Sequence, residues 1–179
     1  MNAEGIALGD AAPELELPDT EGHTTTLPEE GEATAIVVVW TCNHCPYALA
    51  WHDRITSVAR DYAPRGVRFV AVNSNDAEKY PSDSPEAMAE RYEAWQWGMP
   101  YVFDESQETA RAFGAKTTPD LFVFDSDQRL RYRGAPDADP KDGSQEAAWL
   151  RAALDAVLEG KQPDPAETEP VGCSIKWKV

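Results

Sequence analysis

The chain has 179 residues, 42% of them hydrophobic, which fits one domain with a full core and excludes a disordered or fibrous chain. Its 32 acidic residues against 16 Lys and Arg give a formal net charge of -16, which argues against nucleic-acid and anionic-membrane partners. This charge fits a protein adapted to a cell interior with a high salt concentration, and it equally fits an ordinary acidic protein. No basic leader opens the chain, and three cysteines are an odd number for a disulfide scaffold, so we expect a cytoplasmic location.

The predicted elements begin with an alternation of strand and helix. The continuous apolar run Ala35–Trp40 predicts a strand that is buried on both faces. Residues Pro46–Tyr62 carry apolar side chains at helical spacing, and Val67–Asn73 predicts a second strand. Strand, helix and strand at this spacing form a βαβ unit, which indicates an α/β domain with a right-handed crossover.

Shorter elements are predicted after the second strand. The capping hydroxyl of Ser84, followed by Pro85, marks the start of a helix that we expect to run to about Trp97. The remaining predictions are an edge strand at Tyr101–Phe103, a helix over Ser106–Phe113, a hairpin of Leu121–Phe124 and Leu130–Arg133, and a helix over Ser144–Glu159. We divide the chain into an N-terminal arm with a small hairpin near Glu21-Gly22 (1–34), a main domain (35–160) and an extended C-terminal tail (161–179).

The segment Cys42-Asn43-His44-Cys45 comes directly after the buried strand, where the first helix begins. A helix N-terminus presents unpaired amides and partial positive charge, which stabilise a thiolate. We therefore predict that Cys42 is a nucleophile with a lowered pKa, and that Cys45 attacks the resulting mixed disulfide and releases the substrate. A cationic His44 would lower the Cys42 pKa further; the alternative is a solvated turn residue without effect.

A Cys-x-x-Cys pair also occurs in zinc sites, but such sites need about four ligands. The other candidate ligands are His23, His52 and the distant Cys173, and no second closely spaced pair exists in the sequence. We therefore predict no metal and no bound cofactor, because the redox couple consists of side chains. The acidic run Asp137, Asp139 and Asp142 hints at calcium, but it lacks the rest of an EF-hand loop, so we interpret it as a solvated loop.

Four motifs together resemble a known family. They are Cys42-Asn43-His44-Cys45-Pro46-Tyr47, Asn73-Ser74-Asn75-Asp76, Thr118-Pro119-Asp120 and Gly172-Cys173-Ser174-Ile175-Lys176-Trp177-Lys178. As a set they resemble a peroxiredoxin-like branch of the thioredoxin superfamily, among the AhpC/TSA-type redoxins, over nearly the whole chain. The resemblance implies a thioredoxin-like fold, in which helices flank a central mixed sheet.

The resemblance also implies a substrate-binding surface. Thr118-Pro119 would be a cis-proline loop that faces the cysteines and keeps metals off the thiols, and the Thr118 backbone would pair with a substrate peptide. We assign Trp40 and Thr41, next to Cys42, to the same substrate contact. For Pro119 the alternative is an ordinary trans turn before a strand.

The chain departs from true peroxiredoxins at the peroxide-binding pattern, which resembles Pro-x-x-x-Thr-x-x-Cys. Counting back from Cys42, Val39 stands in place of the Thr and Ala35 in place of the Pro. Counting back from Cys45 gives Cys42 and Val38 instead. Neither frame supplies the required residues, so the sequence does not support peroxidase activity.

We accordingly predict a thiol–disulfide oxidoreductase that acts on a protein or small-molecule thiol or disulfide and is recycled by a cellular reductant. One alternative is a thiol peroxidase, a peroxiredoxin-like antioxidant in which Cys42 becomes a sulfenic acid that Cys45 or Cys173 resolves. A second alternative is a Cu(I)-binding chaperone that uses Cys42, Cys45 and a histidine, since soft thiolates favour Cu(I). Related copper proteins space their cysteines one residue wider, which counts against this alternative.

Two interpretations of Cys173 are open. It could be a third redox thiol that exchanges disulfides with the Cys42–Cys45 pair. Alternatively, it is a small buried hydrophobe, because the apolar residues Cys173, Ile175, Trp177 and Val179 alternate with polar ones as on a strand with one apolar face. We favour the buried interpretation and expect the tail to dock as ordered structure in either case.

Overall fold

The computed structural model describes residues 5–179, which form nine strands and four α-helices. In chain order these are β1 (Glu16–Pro18), β2 (Thr24–Thr26), β3 (Ala35–Trp40), α1 (Pro46–Tyr62), β4 (Val67–Asn73), α2 (Pro85–Trp95), β5 (Tyr101–Phe103), α3 (Glu108–Phe113), β6 (Thr117–Thr118), β7 (Asp120–Asp125), β8 (Leu130–Gly134), α4 (Ala148–Leu158) and β9 (Cys173–Ser174). Within the described part of the chain, no helix combines the length and the apolarity that crossing a bilayer requires.

Five of the strands form a central mixed sheet in the order β5-β4-β3-β7-β8. The pairs β3–β4 and β4–β5 are parallel, whereas β3–β7 and β7–β8 are antiparallel. Two further antiparallel pairs, β1–β2 and β6–β9, lie outside this sheet. The prediction of an α/β domain with a mixed sheet between helices is confirmed.

β3 lies at the centre of the sheet and is buried on both faces. Its alternate side chains Ala35, Val37 and Val39 belong to one core cluster, and the other three belong to a second cluster on the opposite face. All six residues are at most 2% exposed. Because β-branched side chains pack well on a pleated surface, this run favours a doubly covered strand.

Helices cover one face of the sheet, and a helix together with the two ends of the chain covers the other. On the first face, α1 contributes Trp51 and α4 contributes Leu150 to the core. On the second face, Phe113 of α3 packs with Leu15 of the N-terminal arm and Ile175 of the C-terminal tail. The tail therefore supplies part of the core rather than hanging free.

Three helices begin or end away from their predicted bounds because single residues turn the chain. α2 ends at Trp95, since Gln96 adopts a left-handed conformation (φ 48°) and directs Trp97 inward onto Tyr101, with ring centroids 4.3 Å apart. α3 begins at Glu108 because Gln107 is left-handed (φ 67°). α4 begins at Ala148, because a separate 3₁₀ turn (143–145) is followed by two left-handed residues.

The acidic loop before α4 is not solvated at Asp137, contrary to our prediction. The Asp137 side chain is buried and accepts a hydrogen bond from the Trp51 indole (2.8 Å) and one from the Ala147 amide (2.9 Å). It also pairs with the Arg54 guanidinium at 2.9 Å. Asp137 therefore joins α1 to the start of α4, while Asp139 remains exposed.

The C-terminal tail contacts the domain at two places. Near β8, the Arg133 amide donates to the Ala166 carbonyl (3.2 Å), and the Thr168 amide donates back to the Arg133 carbonyl (3.0 Å). Further on, β9 pairs with β6 beside the Cys-x-x-Cys segment. The last residues of the chain thus lie beside the Cys-x-x-Cys segment, where we predict the redox chemistry.

Candidate active site

The Cys-x-x-Cys segment joins the C-terminal end of β3 to the first turn of α1. The helix begins at Pro46, and Cys45 is its N-cap residue. Cys42 therefore precedes the helix, and it is Cys45 that lies at the helix end, where the partial positive charge is located. Both side chains are buried, with Cys42 2% and Cys45 0% exposed.

Both sulfurs face Thr118, in the loop that precedes β7. The Thr118-Pro119 peptide bond is cis. Cys45 Sγ lies 3.2 Å from the Thr118 carbonyl oxygen, and Cys42 Sγ lies 3.6 Å from the Thr118 hydroxyl. The loop and the cysteines thus meet although they are far apart in the sequence.

The two thiols influence each other's pKa in opposite directions. A hydrogen bond from Cys42 lowers the pKa of Cys45, and the Ala48 amide in the first helical turn acts in the same direction. The same hydrogen bond raises the pKa of Cys42, with burial and the negative charge of Asp83 adding to the rise. Since the sulfurs share one proton, the first thiolate forms on Cys45. Our prediction of a lowered Cys42 pKa is wrong, because the hydrogen bond with Cys45, burial and the Asp83 charge raise the pKa of Cys42 instead.

Asp83 is a site residue that sequence reasoning missed. It lies in a 3₁₀ turn (81–83) before α2 and is fully buried. Its carboxylate accepts a hydrogen bond from the Asn43 amide (2.7 Å) and another from the Asn75 side chain (2.9 Å). Its backbone carbonyl accepts from the Asn73 side chain (2.9 Å). The Asn73-Ser74-Asn75-Asp76 motif was the available signal, because two of its amides reach this turn.

His44 is held by Asp83 rather than free in solvent. Its Nδ1 lies 2.5 Å from Asp83 Oδ2, and its ring stacks on that of Tyr80 at a centroid distance of 5.8 Å. The side chain is half-buried, with 32% of its surface exposed. His44 is therefore not a fully solvated turn residue, while its effect on the Cys42 pKa stays a prediction.

Trp40 and Thr41 do not face a substrate, which corrects their assignment to substrate contact. Trp40 is 0% exposed, its indole nitrogen donates to the Ser74 hydroxyl (2.9 Å), and its ring packs on Phe113. Thr41 is buried, and its amide donates to the Val72 carbonyl (2.8 Å). Both residues belong to the framework behind the cysteines.

The Thr118 backbone is not open to a substrate peptide, contrary to our expectation. In the β6–β9 pair, Cys173 stands opposite Thr118 and Ser174 opposite Thr117. Pro119 is buried beside this pair. Cys173 is half-buried and packs against Cys42, Cys45 and Ala48, rather than in the apolar core. The structure thus brings all three cysteines of the chain together.

Cys42, His44 and Asp83 are the residues here that could hold a metal ion. One ligand atom of each lies within 4.8 Å of the others. A thiolate, an imidazole and a carboxylate leave one position open on a tetrahedral ion, as in catalytic zinc sites. Cys45 is not in this group, so the geometry differs from the two-thiolate set that a Cu(I) chaperone would use.

Comparison with known proteins places this architecture in a family. The sequence profile of the AhpC/TSA family matches residues 8–133, which is most of the chain. The chain belongs to the AhpC/TSA family. No curated protein matches the chain.

Two solved structures resemble this AhpC/TSA protein over nearly its full length. An uncharacterized conserved protein from Geobacillus kaustophilus is 42% identical with a TM-score of 0.90, covering 96% of this chain and 93% of its own. The protein SMc02350 from Sinorhizobium meliloti 1021 is 39% identical with a TM-score of 0.91, covering 99% of this chain and 97% of its own.

A more distant structure confirms the thioredoxin-like fold. Peroxidoxin BcpB from Mycobacterium tuberculosis is 19% identical with a TM-score of 0.63, covering 86% of this chain and 96% of its own. At that identity the likeness concerns the fold alone. Together with the family, it identifies a redox protein of the thioredoxin fold.

Proposed function

We propose that the protein catalyses thiol–disulfide exchange through Cys42 and Cys45. The observation that carries this proposal is the placement of both sulfurs against one residue of the cis-proline loop, at 3.2 and 3.6 Å from Thr118. Two thiols in one turn that share a proton can close into a disulfide and reopen while the sheet and the helix stay in place.

Cys42 attacks the external disulfide. Its thiol gives its proton to His44, and its sulfur bonds to one substrate sulfur while the other substrate sulfur leaves as a thiolate. Cys45, already a thiolate, then attacks Cys42 Sγ and releases the second substrate thiolate. The pair ends as a disulfide and the substrate is reduced by two electrons. A cellular thiol reductant reverses the oxidation of the pair.

Asp83 acts as a positioning residue for this proton transfer. Its carboxylate lies 2.5 Å from Nδ1 of His44, and one nitrogen of His44 lies within 4.8 Å of Cys42 Sγ, so Asp83 holds the imidazole beside that thiol. It also anchors the Asn43 amide at 2.7 Å, which fixes the turn between the two cysteines. Its charge adds to the Cys45 hydrogen bond and to burial, which raise the pKa of Cys42.

Peroxide reduction is the second candidate, since the AhpC/TSA family membership favours it. A hydroxyl that could hold a peroxide is that of Thr118, 3.6 Å from Cys42 Sγ. However, Val39 and Ala35 occupy the positions of the peroxide-binding Thr and Pro, and both side chains are buried in β3. The apolar residues at these positions favour disulfide exchange over peroxide reduction.

Trapping the mixed disulfide tests the proposed roles. The reduced Cys45→Ser/Cys173→Ser variant, given a chromogenic aromatic disulfide, should keep one half of it bound to Cys42, because neither of the other two thiols is left to release it. The Cys42→Ser/Cys173→Ser variant should form far less of this adduct. Peptide mapping identifies the modified cysteine. An adduct that forms equally in the two variants, or none in either, would contradict the assignment of Cys42 as the attacking thiol.

A further inference from the structure

The C-terminal segment occupies the edge of the cis-proline loop as an added strand. Cys173 of β9 stands opposite Thr118 of β6 in antiparallel register. The preceding Gly172 approaches so closely that a Cβ on it would collide with the Thr118 carbonyl. This position therefore needs glycine, because any side chain would hold the strand away from the loop.

Specific contacts hold this strand in one register. The Ile175 amide donates to the Lys116 carbonyl (3.0 Å), and the Ile175 side chain is 2% exposed in the second core cluster. The Lys176 amide donates to the Asn75 side chain (2.8 Å), and its carbonyl accepts from the Asp76 amide (2.8 Å). The register of Cys173 is thus fixed from both sides of the segment.

The register places the thiol of Cys173 beside the buried pair. Cys173 packs against the cluster of Cys42, Cys45 and Ala48. It is half-buried, whereas the other two cysteines are at most 2% exposed. Cys173 is therefore the most exposed of the three thiols while the tail is docked.

Resting on the proposed exchange activity, we propose that Cys173 is a third redox thiol that takes over the disulfide from the buried pair and presents it to the reductant. The Cys173 thiolate attacks Sγ of Cys45, the Cys45–Cys173 bond forms, and the Cys42–Cys45 bond breaks. Cys42 leaves as a thiolate and takes up a proton. No electrons enter or leave the protein in this step. An external thiol then attacks Cys173 Sγ and displaces Cys45 as a thiolate. A second external thiol attacks the sulfur of the first, which releases Cys173 as a thiolate and forms the external disulfide.

The electrostatics of the site favour this order of events. Burial, together with the hydrogen bond and the charge of the neighbouring Cys45 thiolate, raises the pKa of Cys173 to about 11 while the pair is reduced. Once Cys42 and Cys45 form a disulfide, Cys45 carries no charge, and its part of that rise disappears. Cys173 therefore becomes a better nucleophile at the stage when there is a disulfide to attack.

Oxidation of the Cys42→Ser variant with a mild thiol oxidant tests the proximity that the relay needs. Peptide mapping without reduction should find Cys45 joined to Cys173 within one molecule. The matched control adds Cys173→Ser and Ser174→Cys, which moves the thiol to the exposed side of β9 and should abolish the link. A free Cys173, or a link that forms equally well in the control, would overturn the proposal.

Separate rates for the two half-reactions distinguish this inference from the exchange activity itself. Cys173→Ser should slow the reduction of the oxidised enzyme by a small external thiol about tenfold or more, and should slow oxidation of the reduced enzyme far less. The exposed Ser174→Ala serves as the control that leaves both rates unchanged. If wild type is not oxidised by a disulfide, the exchange activity fails. If it is, but Cys173→Ser is reduced as fast as wild type, only the relay fails.

Discussion

The buried carboxylate of Asp83 lies 2.5 Å from Nδ1 of His44, although the two residues lie in different loops. The same carboxylate accepts a hydrogen bond from the neighbouring Asn43 amide at 2.7 Å. Both residues between the cysteines are therefore held by one side chain from outside the Cys-x-x-Cys segment. Asp83 therefore both fixes the conformation of the turn between the cysteines and places a negative charge beside Cys42.

Neutralising that charge should change the titration of Cys42. Asp83→Asn, made in the Cys45→Ser background, should lower the Cys42 pKa because the carboxylate charge that raises it is gone. Ultraviolet absorbance of the thiolate, titrated against pH, measures the midpoint. The exposed Asp61, which pairs with Arg151 away from the cysteines, supplies the control Asp61→Asn. A Cys42 titration midpoint that is unchanged or higher in Asp83→Asn would contradict the role assigned to this carboxylate.

The shared proton predicts that a thiolate persists in reduced wild type well below the pKa of about 8.5 of a free cysteine. Because the Cys45 pKa is lowered, its charge is present above that pKa and is lost only as the pH falls through it. Cys42→Ala should raise the Cys45 midpoint by removing the hydrogen-bond donor, and Cys42→Ser, which keeps a donor, should raise it less. Thiolate absorbance that develops only near the free-cysteine value in wild type would exclude the shared proton.

Loosening the tail should expose the buried pair. Gly172→Ala places a Cβ against the Thr118 carbonyl, so β9 should lift and Cys42 and Cys45 should be alkylated about tenfold faster. Gly143→Ala is the matched control, because a Cβ there meets nothing within 4 Å. The alkylation rate of the reduced protein, followed by mass spectrometry, is the measurement. Equal rates in Gly172→Ala and wild type would show that the tail does not shield the pair.

The Asp137 carboxylate should be important for stability rather than for redox chemistry. Asp137→Ala leaves the Arg54 guanidinium, whose side chain is 11% exposed, without its charge partner. The loss should lower the free energy of unfolding by about 3–5 kcal/mol. Urea unfolding measures this, with the exposed Asp139→Ala as the comparison, for which we expect a change of less than about 1 kcal/mol. Similar midpoints for the two variants would contradict the buried pairing.

The central strands and the first helix could be predicted because their signals are local. The runs that form β3, β4 and β5 and the proline that opens α1 lie within the elements themselves, and these four have the predicted bounds. The start of α3 could not be predicted, because it depends on Gln107. Its side chain donates to the Ser74 carbonyl (2.7 Å) and accepts from the Lys178 amide (3.0 Å), both distant in sequence.

The same distinction applies to the site. The Cys-x-x-Cys spacing is visible in the sequence, and so is the position of the pair between a buried strand and a helix. The pairing of Cys173 with Thr118 and the contact of Asp83 with His44 arise only when the tail and the polar loop fold back. No periodicity marks such contacts, which is why the Cys42 pKa and the free Thr118 edge were predicted wrongly.

Steady-state turnover with two oxidants tests the central claim most directly. The reduced protein is supplied with a dithiol and either a disulfide substrate or hydrogen peroxide, alongside the Cys42→Ser and Cys45→Ser variants. Our account predicts turnover with the disulfide that exceeds turnover with peroxide and is lost in each variant. Turnover of peroxide that exceeds turnover of the disulfide, or disulfide turnover that survives in either variant, would contradict it.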